Sequence, residues 1–177
     1  MIKRLLPANA LLLSTQVFAQ SHNHSEQMST QPTQAGQSAF AAIQEIVAIL
    51  EKDPKSDWSK VNIEGLRQHL IDMDNVTLRS DVTITAIPNG MKYSVSGTGD
   101  TVQSIKRMIK AHAVTMNGIN DWRFTAEETP NGANLTVVTP AADQKKLNGL
   151  GFIGVMTRGM HHQQHHLALA SGVNPHH

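Results

Sequence analysis

Apolar residues recur at helical spacing in three segments of the chain, which predicts three amphipathic helices. The first begins after Ser38 and ends before Pro54, the second is capped by Ser59 or Asn62 and ends near Asn75, and the third covers residues 101–117. Their apolar faces comprise Phe40, Ile43, Val47 and Leu50; Leu66, His69, Leu70 and Met73; and Val102, Ile105, Ile109, His112 and Met116. The second and third helices therefore each carry a histidine on the apolar face.

Between the second and third helices the apolar residues alternate with polar ones, as in a half-buried β-hairpin. Two alternating runs at 82–86 and 91–95 flank the turn Pro88-Asn89-Gly90, and the same turn returns 42 positions later at Pro130-Asn131-Gly132. We interpret this as a duplicated β-β-α unit. The predicted fold class is α+β, with two N-terminal helices followed by a four-stranded antiparallel sheet that carries helices on one face.

The final helix is predicted to begin near Pro140 and to continue to Ala170, before Ser171-Gly172 ends it. Glycines at 149, 151, 154 and 159 weaken this helix, because each costs about 1 kcal/mol relative to alanine in a helix interior. We therefore expect a kink or close packing in the glycine-rich part.

The first nineteen residues have the features of a secretory signal peptide. Lys3 and Arg4 precede an apolar stretch, and Val17-Phe18-Ala19 gives the small-residue spacing of a cleavage site. Cleavage after Ala19 predicts a periplasmic or secreted protein with no membrane span in the mature chain. The predicted organisation is a signal peptide at 1–19, a disordered His/Gln/Ser-rich leader at 20–37, one α+β domain at 38–172 and a tail at 173–177.

Composition narrows the chemistry of the chain, which has 177 residues. Its 15 basic and 14 acidic residues leave a formal net charge of +1, so no strong positive field exists to attract nucleic acid. The absence of cysteine excludes disulfides, cysteine zinc sites, iron–sulfur clusters and covalently attached haem. In contrast, ten histidines and eight methionines supply abundant imidazole and thioether ligands.

Two His-x-x-x-Met pairs occur at matching places before the two hairpins, at His69/Met73 and His112/Met116. Side chains four residues apart on a helix lie about 6 Å apart, close enough to share one ion. Imidazole with thioether is a soft ligand set that favours copper, Cu(I) especially. Because the pairs are related by the repeat, we expect them to converge on the sheet; the alternative is that they are ordinary core residues.

A denser cluster of candidate ligands lies near the C-terminus. It consists of Met156, Met160, His161, His162, His165 and His166. On one helix, His161/His165 and His162/His166 form two chelating pairs, suited to copper and also to zinc or nickel. A zinc protease needs glutamate directly after its first histidine, and neither pair has one. The sequence therefore predicts metal binding here without hydrolysis.

The predicted leader adds a third candidate site. Cleavage after Ala19 leaves Gln20-Ser21-His22, which resembles amino-terminal Cu(II)/Ni(II) motifs with histidine in the third position, and His24 is a spare ligand. This site needs a free amino group, which cyclisation of Gln20 removes. The alternative is a disordered leader with incidental histidines.

These residues predict an exported copper carrier, buffer or resistance factor whose partners are a metal ion and another periplasmic metal-handling protein. One alternative is non-covalent haem or another redox cofactor, with His69 and Met116, or His112 and Met73, as axial ligands. A second alternative is a non-catalytic structural or partner-binding module. No enzyme is predicted, because nucleophile, phosphate-binding and acid/base motifs are missing; Asp72, Asp74, Glu127 and Glu128 are interpreted as solvated charges.

Overall fold

The structure, a computed structural model, describes residues 39–158 and 162–173, without the side chains of residues 162 and 163. Several sequence predictions lie outside the described residues. They concern the signal peptide, the leader with His22 and His24, the ligands Met160 and His161, and residues 174–177.

Two helices precede the sheet: α1 covers Ala39–Lys52 and α2 covers Ile63–Arg79. The Asn62 side chain caps α2 by accepting a hydrogen bond of 2.8 Å from the backbone N–H of Gly65. α2 continues one turn beyond its predicted end near Asn75. Asn75 and Val76 are both buried in this extra turn, so tertiary packing stabilises helix where the periodicity had ended.

The remainder of the chain forms the predicted four-stranded antiparallel sheet with helices packed on it, which confirms the α+β class. The spatial order is β1-β2-β4-β3, so the second strand of each hairpin lies in the centre. The elements are β1 (Asp81–Ile87), β2 (Gly90–Ser96), α3 (Asp100–Met116), β3 (Arg123–Thr129), β4 (Gly132–Val138), α4 (Gln144–Thr157) and α5 (His162–Ala170).

The duplication is visible where the two hairpins meet. A Cβ atom on Gly90 would lie 2.1 Å from the carbonyl oxygen of Val137, and a Cβ atom on Gly132 would lie 2.1 Å from the carbonyl oxygen of Val95. The 42-residue offset relates both the two glycines and the two carbonyls. Each Pro-Asn-Gly turn therefore needs its glycine because the other central strand approaches it closely.

Two apolar clusters hold the elements together. The sheet cluster lies between the sheet, α3 and α4, and it includes Tyr93, Val95, Ile105, Ile109, Met116, Trp122, Leu135, Val137, Leu147 and Val155. The helical cluster lies among α1, α2 and α5, and it comprises Ala42, Ile46, Leu50, Leu66, Leu70 and Ala170. In the part of the chain that the structure describes, no helix combines the length and apolarity needed to cross a bilayer.

A partly buried ion pair joins α2 to α3, with a buried Asp72 carboxylate and a half-exposed Arg107, so the interpretation of Asp72 as a solvated charge was wrong. The Asp72 carboxylate is 4% exposed and accepts hydrogen bonds from Arg107 Nε (2.8 Å) and Nη2 (2.7 Å) and from Ser104 Oγ (2.8 Å). Ser104 Oγ in turn accepts a hydrogen bond of 2.9 Å from Asn75 Nδ2. Because arginine on α3 reaches the carboxylate in a bidentate geometry, Asp72 remains charged while buried.

The prediction of one continuous final helix was wrong. Gly151 has φ 58° and ψ −166°, which no α-helix contains, and Arg158 is extended with φ −73° and ψ 135°. α4 therefore bends at Gly151, as the glycine-rich sequence suggested, and ends at Thr157 before α5 begins as a separate helix.

Candidate metal centre

The residue that organises the candidate site is His69, in the middle of α2. Its neighbours Leu66 and Leu70 belong to the helical cluster, so the same helix face directs the imidazole inward, where it is 8% exposed. α5 packs against this face. The position of α5 is fixed in part by a backbone hydrogen bond of 2.7 Å, which the N–H of Asn62 donates to the carbonyl of Ala170.

Two histidines of α5 meet His69 at this interface. The His69 ring centroid lies 4.7 Å from that of His165 and 5.5 Å from that of His166. The two α5 rings are 6.4 Å apart, and His166 is only 2% exposed. The Nε2 atoms of all three imidazoles are shielded from solvent. We call His69, His165 and His166 the histidine cluster.

The spacing of the rings only partly matches that of imidazoles around one ion: the His69–His166 distance fits, the His69–His165 distance is shorter and the His165–His166 distance is longer. Two imidazoles bound to one metal through nitrogens about 2.0–2.1 Å from it have centroids about 5–6 Å apart. The planes in the cluster are inclined at 54°, 69° and 57°. Among residues 39–158 and 162–173, no three histidine or carboxylate side chains stand ready to hold an ion together. Metal binding at the cluster therefore requires the histidine side chains to move from the positions described.

The predicted His69/Met73 and His112/Met116 pairs face different clusters. Met73 is partly buried and packs against the helical cluster. His69, on the same helix, contacts α5. Met116 is part of the sheet cluster, and the buried His112 ring lies edge-on to Phe124 with 5.5 Å between centroids. The described ring contacts thus bring His69 to α5 and His112 to β3. That each pair binds an ion stays a prediction, as does the alternative in which His69 with Met116, or His112 with Met73, supplies the axial ligands of haem.

The C-terminal cluster predicted from sequence is divided by the helix break. Met156 belongs to α4 and is buried in the sheet cluster, whereas His165 and His166 belong to α5 and face α2. The proposed pairs with His161 and His162 involve side chains outside the described part. His165 and His166 are therefore kept as candidates, with a partner on another helix.

Sequence reasoning missed that His69 belongs with the α5 histidines. The sequence offers no clear signal for this contact, because the apolar residues of α5 follow one another at 167–170 and do not recur at helical spacing. Only the structure shows that His166 and Ala170 are buried on the same side as the partly buried Leu167.

An apolar groove lies at the other end of α5 and is separate from the histidine cluster. It has a volume of about 750 Å³, and its walls include Leu50, Val61, Leu167 and Val173. None of the three clustered histidines lines it.

Comparisons with protein-family models, with curated proteins and with solved structures found no match to this chain.

Proposed function

We propose that the protein is an exported metal-binding protein that handles copper as a carrier, buffer or resistance factor, with the histidine cluster as its metal centre. The observation that supports this proposal is the contact of three imidazoles from two different helices, His69 from α2 and His165 and His166 from α5. Three imidazole nitrogens suit copper and zinc and are a poor set for magnesium or calcium.

The ligand supply around the cluster favours copper over zinc. Met73 follows His69 by one helical turn and packs at the edge of the same helical cluster. A thioether beside imidazoles raises the preference for Cu(I), whereas zinc sites in proteins are built from cysteine, histidine and carboxylates. The sequence contains no cysteine, and the three imidazoles are the ligands described in mutual contact.

The burial of the cluster also argues for a role beyond filling space. α1, α2 and α5 meet elsewhere through leucine, isoleucine and alanine. Imidazoles in such an interface cost more free energy of solvation than apolar side chains of similar size. The interface therefore carries a ligand set that apolar packing alone does not require.

Export and additional ligands complete the proposal. In this proposal the signal peptide exports the chain, and His22 and His24 of the leader together with His161 and His162 of the C-terminal segment supply further imidazoles for Cu(II). Additional ligands of this kind suit transfer of the ion to another periplasmic metal-handling protein.

The test is metal binding by the purified chain without an affinity tag, measured by competition with a chromophoric chelator for Cu(I), Cu(II) and Zn(II). Replacing His69, His165 and His166 with glutamine should weaken copper binding at least about tenfold, or about 1.4 kcal/mol. His112→Gln is the matched control, because it changes a buried imidazole that contacts Phe124 instead. Circular dichroism establishes that each variant is folded.

The triple variant contradicts the proposal if it is folded and retains the copper stoichiometry and affinity of the wild type. A visible spectrum of the untreated protein adds a separate test. A Soret band would indicate that the cofactor is haem and not copper. A colourless chain that binds neither copper nor haem would favour the non-catalytic structural or partner-binding module.

A further inference from the structure

The outer edge of β1 presents backbone hydrogen-bonding groups in a regular row. The two-residue turn after β1 is closed by the pair Ile87 and Gly90, so residues 81, 83, 85 and 87 bond to β2. On the side of β2 that faces β4, the N–H of Thr139 donates a hydrogen bond of 2.9 Å to the carbonyl of Asn89. Odd-numbered residues of β2 therefore bond to β4 and even-numbered ones to β1, which agrees with the pairing of Ile87 and Gly90. The N–H and C=O groups of Val82, Ile84 and Ala86 therefore point away from the sheet.

The other edge of the sheet, β3, is protected, although the repeat relates the two strands. The N–H of Phe124, which points outward by the same alternation, donates a hydrogen bond of 3.0 Å to Asn117 Oδ1. Glu128 on the same edge forms an ion pair of 3.6 Å with Lys106. Side-chain caps and charges of this kind prevent an edge strand from pairing with another chain.

β1 lacks these protective features. Its sequence, Asp-Val-Thr-Ile-Thr-Ala-Ile, has one charge, at its first position, and β-branched residues at five of its seven positions. Ile84, at the centre of the strand, is 52% exposed. No hydrogen bond within the described residues uses the outward backbone groups of β1. An edge of this kind is suited to accept a further strand.

We propose that β1 pairs antiparallel with β1 of a second copy of this chain, so that the two sheets join into one continuous sheet. A two-fold axis at Ile84 places this residue opposite Ile84 of the partner subunit, and it places Val82 opposite Ala86 of the partner subunit. These are the residues whose backbone groups point outward, so each pair exchanges two hydrogen bonds. The edge is self-complementary about this residue.

Side chains and charge also fit a second copy. On the face toward the helices, isoleucine meets isoleucine at the axis, which removes exposed apolar surface from water. On the other face, Thr83 lies opposite Thr85 of the partner subunit. The only charged side chain of the strand, Asp81, lies opposite Ile87 of the partner subunit. The two aspartates therefore stay at opposite ends of the interface, and no like charges face each other.

The oligomeric state of the full chain tests this proposal, measured by sedimentation velocity from about 1 to 200 μM in the presence of a chelator. We expect a reversible dimer. Ile84→Pro removes an outward N–H without touching the β1–β2 hydrogen bonds, and it should weaken association at least about tenfold. Ile84→Lys should weaken association as well, because it places two like charges opposite each other at the axis, and Ala126→Lys is its control, since residue 126 is the repeat equivalent on β3.

Cross-linking locates the contact independently. The chain has no cysteine, so Ile84→Cys introduces a single thiol. Residues in a hydrogen-bonded antiparallel pair have Cα atoms about 5.5 Å apart, within the range that a disulfide spans. Ile84→Cys should therefore oxidise to a disulfide dimer faster than Ala126→Cys.

Three results would overturn the proposal: a monomer at all concentrations, a dimer unaffected by Ile84→Pro in a variant shown to be folded, or equal cross-linking at the two cysteines. A monomer that binds an unrelated extended peptide at β1 would assign the edge to a different partner. Since all measurements are made without metal, their outcome is independent of the histidine cluster.

Discussion

The His69 imidazole lies against the His165 imidazole, with 4.7 Å between their centroids, although one belongs to α2 and the other to α5. α5 thereby reaches the helical cluster through a polar contact as well as through Ala170. If an ion binds there, it joins the last helix of the described chain to the second. Metal binding and the docking of α5 should then be linked equilibria.

The first prediction concerns pH. Protons and metal compete for the same imidazole nitrogens, whose ordinary pKa is about 6.5. Copper affinity should therefore be highest above neutral pH and fall as the pH decreases. Affinity should fall more steeply with decreasing pH when three imidazoles bind the ion than when two do, because each bound imidazole excludes one proton. Chelator competition between pH 5.5 and 8 measures this slope.

In His165→Gln, copper affinity should depend less steeply on pH, because one imidazole fewer competes with protons. In His112→Gln, the slope of copper affinity against pH should be unchanged. A slope that is the same in both variants would show that His165 is not a ligand.

The second prediction separates the two histidine–methionine pairs. Met73 packs at the helical cluster near the His69–α5 contact, whereas Met116 is buried in the sheet cluster. Met73→Leu should therefore weaken Cu(I) binding at least about tenfold and leave Zn(II) binding unchanged, because only Cu(I) gains from the thioether. Met116→Leu should change neither, and both substitutions should cost less than about 1.5 kcal/mol of stability, since they conserve volume. Equal Cu(I) affinities in the two variants would exclude Met73 as a ligand.

The sequence predicted the repeat and its consequences more fully than it predicted the site. Alternation and the two Pro-Asn-Gly turns are local signals, and they identified the strands around Gly90 and Gly132 and the α+β class. The break between α4 and α5 depends on the positive φ of Gly151, which helical periodicity does not reveal. The contact of His69 with α5 depends on which helix α5 packs against, and that choice is tertiary. Single-helix spacing therefore paired His69 with Met73, but it did not find His165.

The third prediction concerns the ion pair between α2 and α3. Burial raises the pKa of the Asp72 carboxyl, whereas the hydrogen bonds from Arg107 and Ser104 and the charge of Arg107 together lower it by a larger amount. The pKa in the folded protein therefore lies below its ordinary value. Asp72 therefore stabilises the fold at pH values above its unfolded pKa, and this stabilisation is lost as the pH falls through the folded pKa. Asp72→Asn should lower the free energy of unfolding by about 2 kcal/mol at pH 7.

Chemical denaturation of both proteins at pH 7 and at about pH 3 tests the sign of this effect, because the difference should shrink in acid. Asp74→Asn is the matched control on the same helix, since Asp74 is exposed. A difference between wild type and Asp72→Asn that grows in acid would contradict the assignment.

The last prediction concerns the Tyr93 hydroxyl at the centre of β2. Tyr93 is fully buried against Phe152, with 5.8 Å between ring centroids, and its hydroxyl has no hydrogen-bond partner among the described residues. Burial raises the pKa of this phenol, so it is neutral throughout the physiological range. A buried hydroxyl without a partner costs about 1–3 kcal/mol of desolvation, so Tyr93→Phe should be neutral or stabilise the protein by up to about 1 kcal/mol. Thermal and urea unfolding measure the change, with Phe152→Leu as a destabilising comparison that removes the ring contact. A loss of more than about 1 kcal/mol in Tyr93→Phe would show that the hydroxyl makes a stabilising interaction in solution.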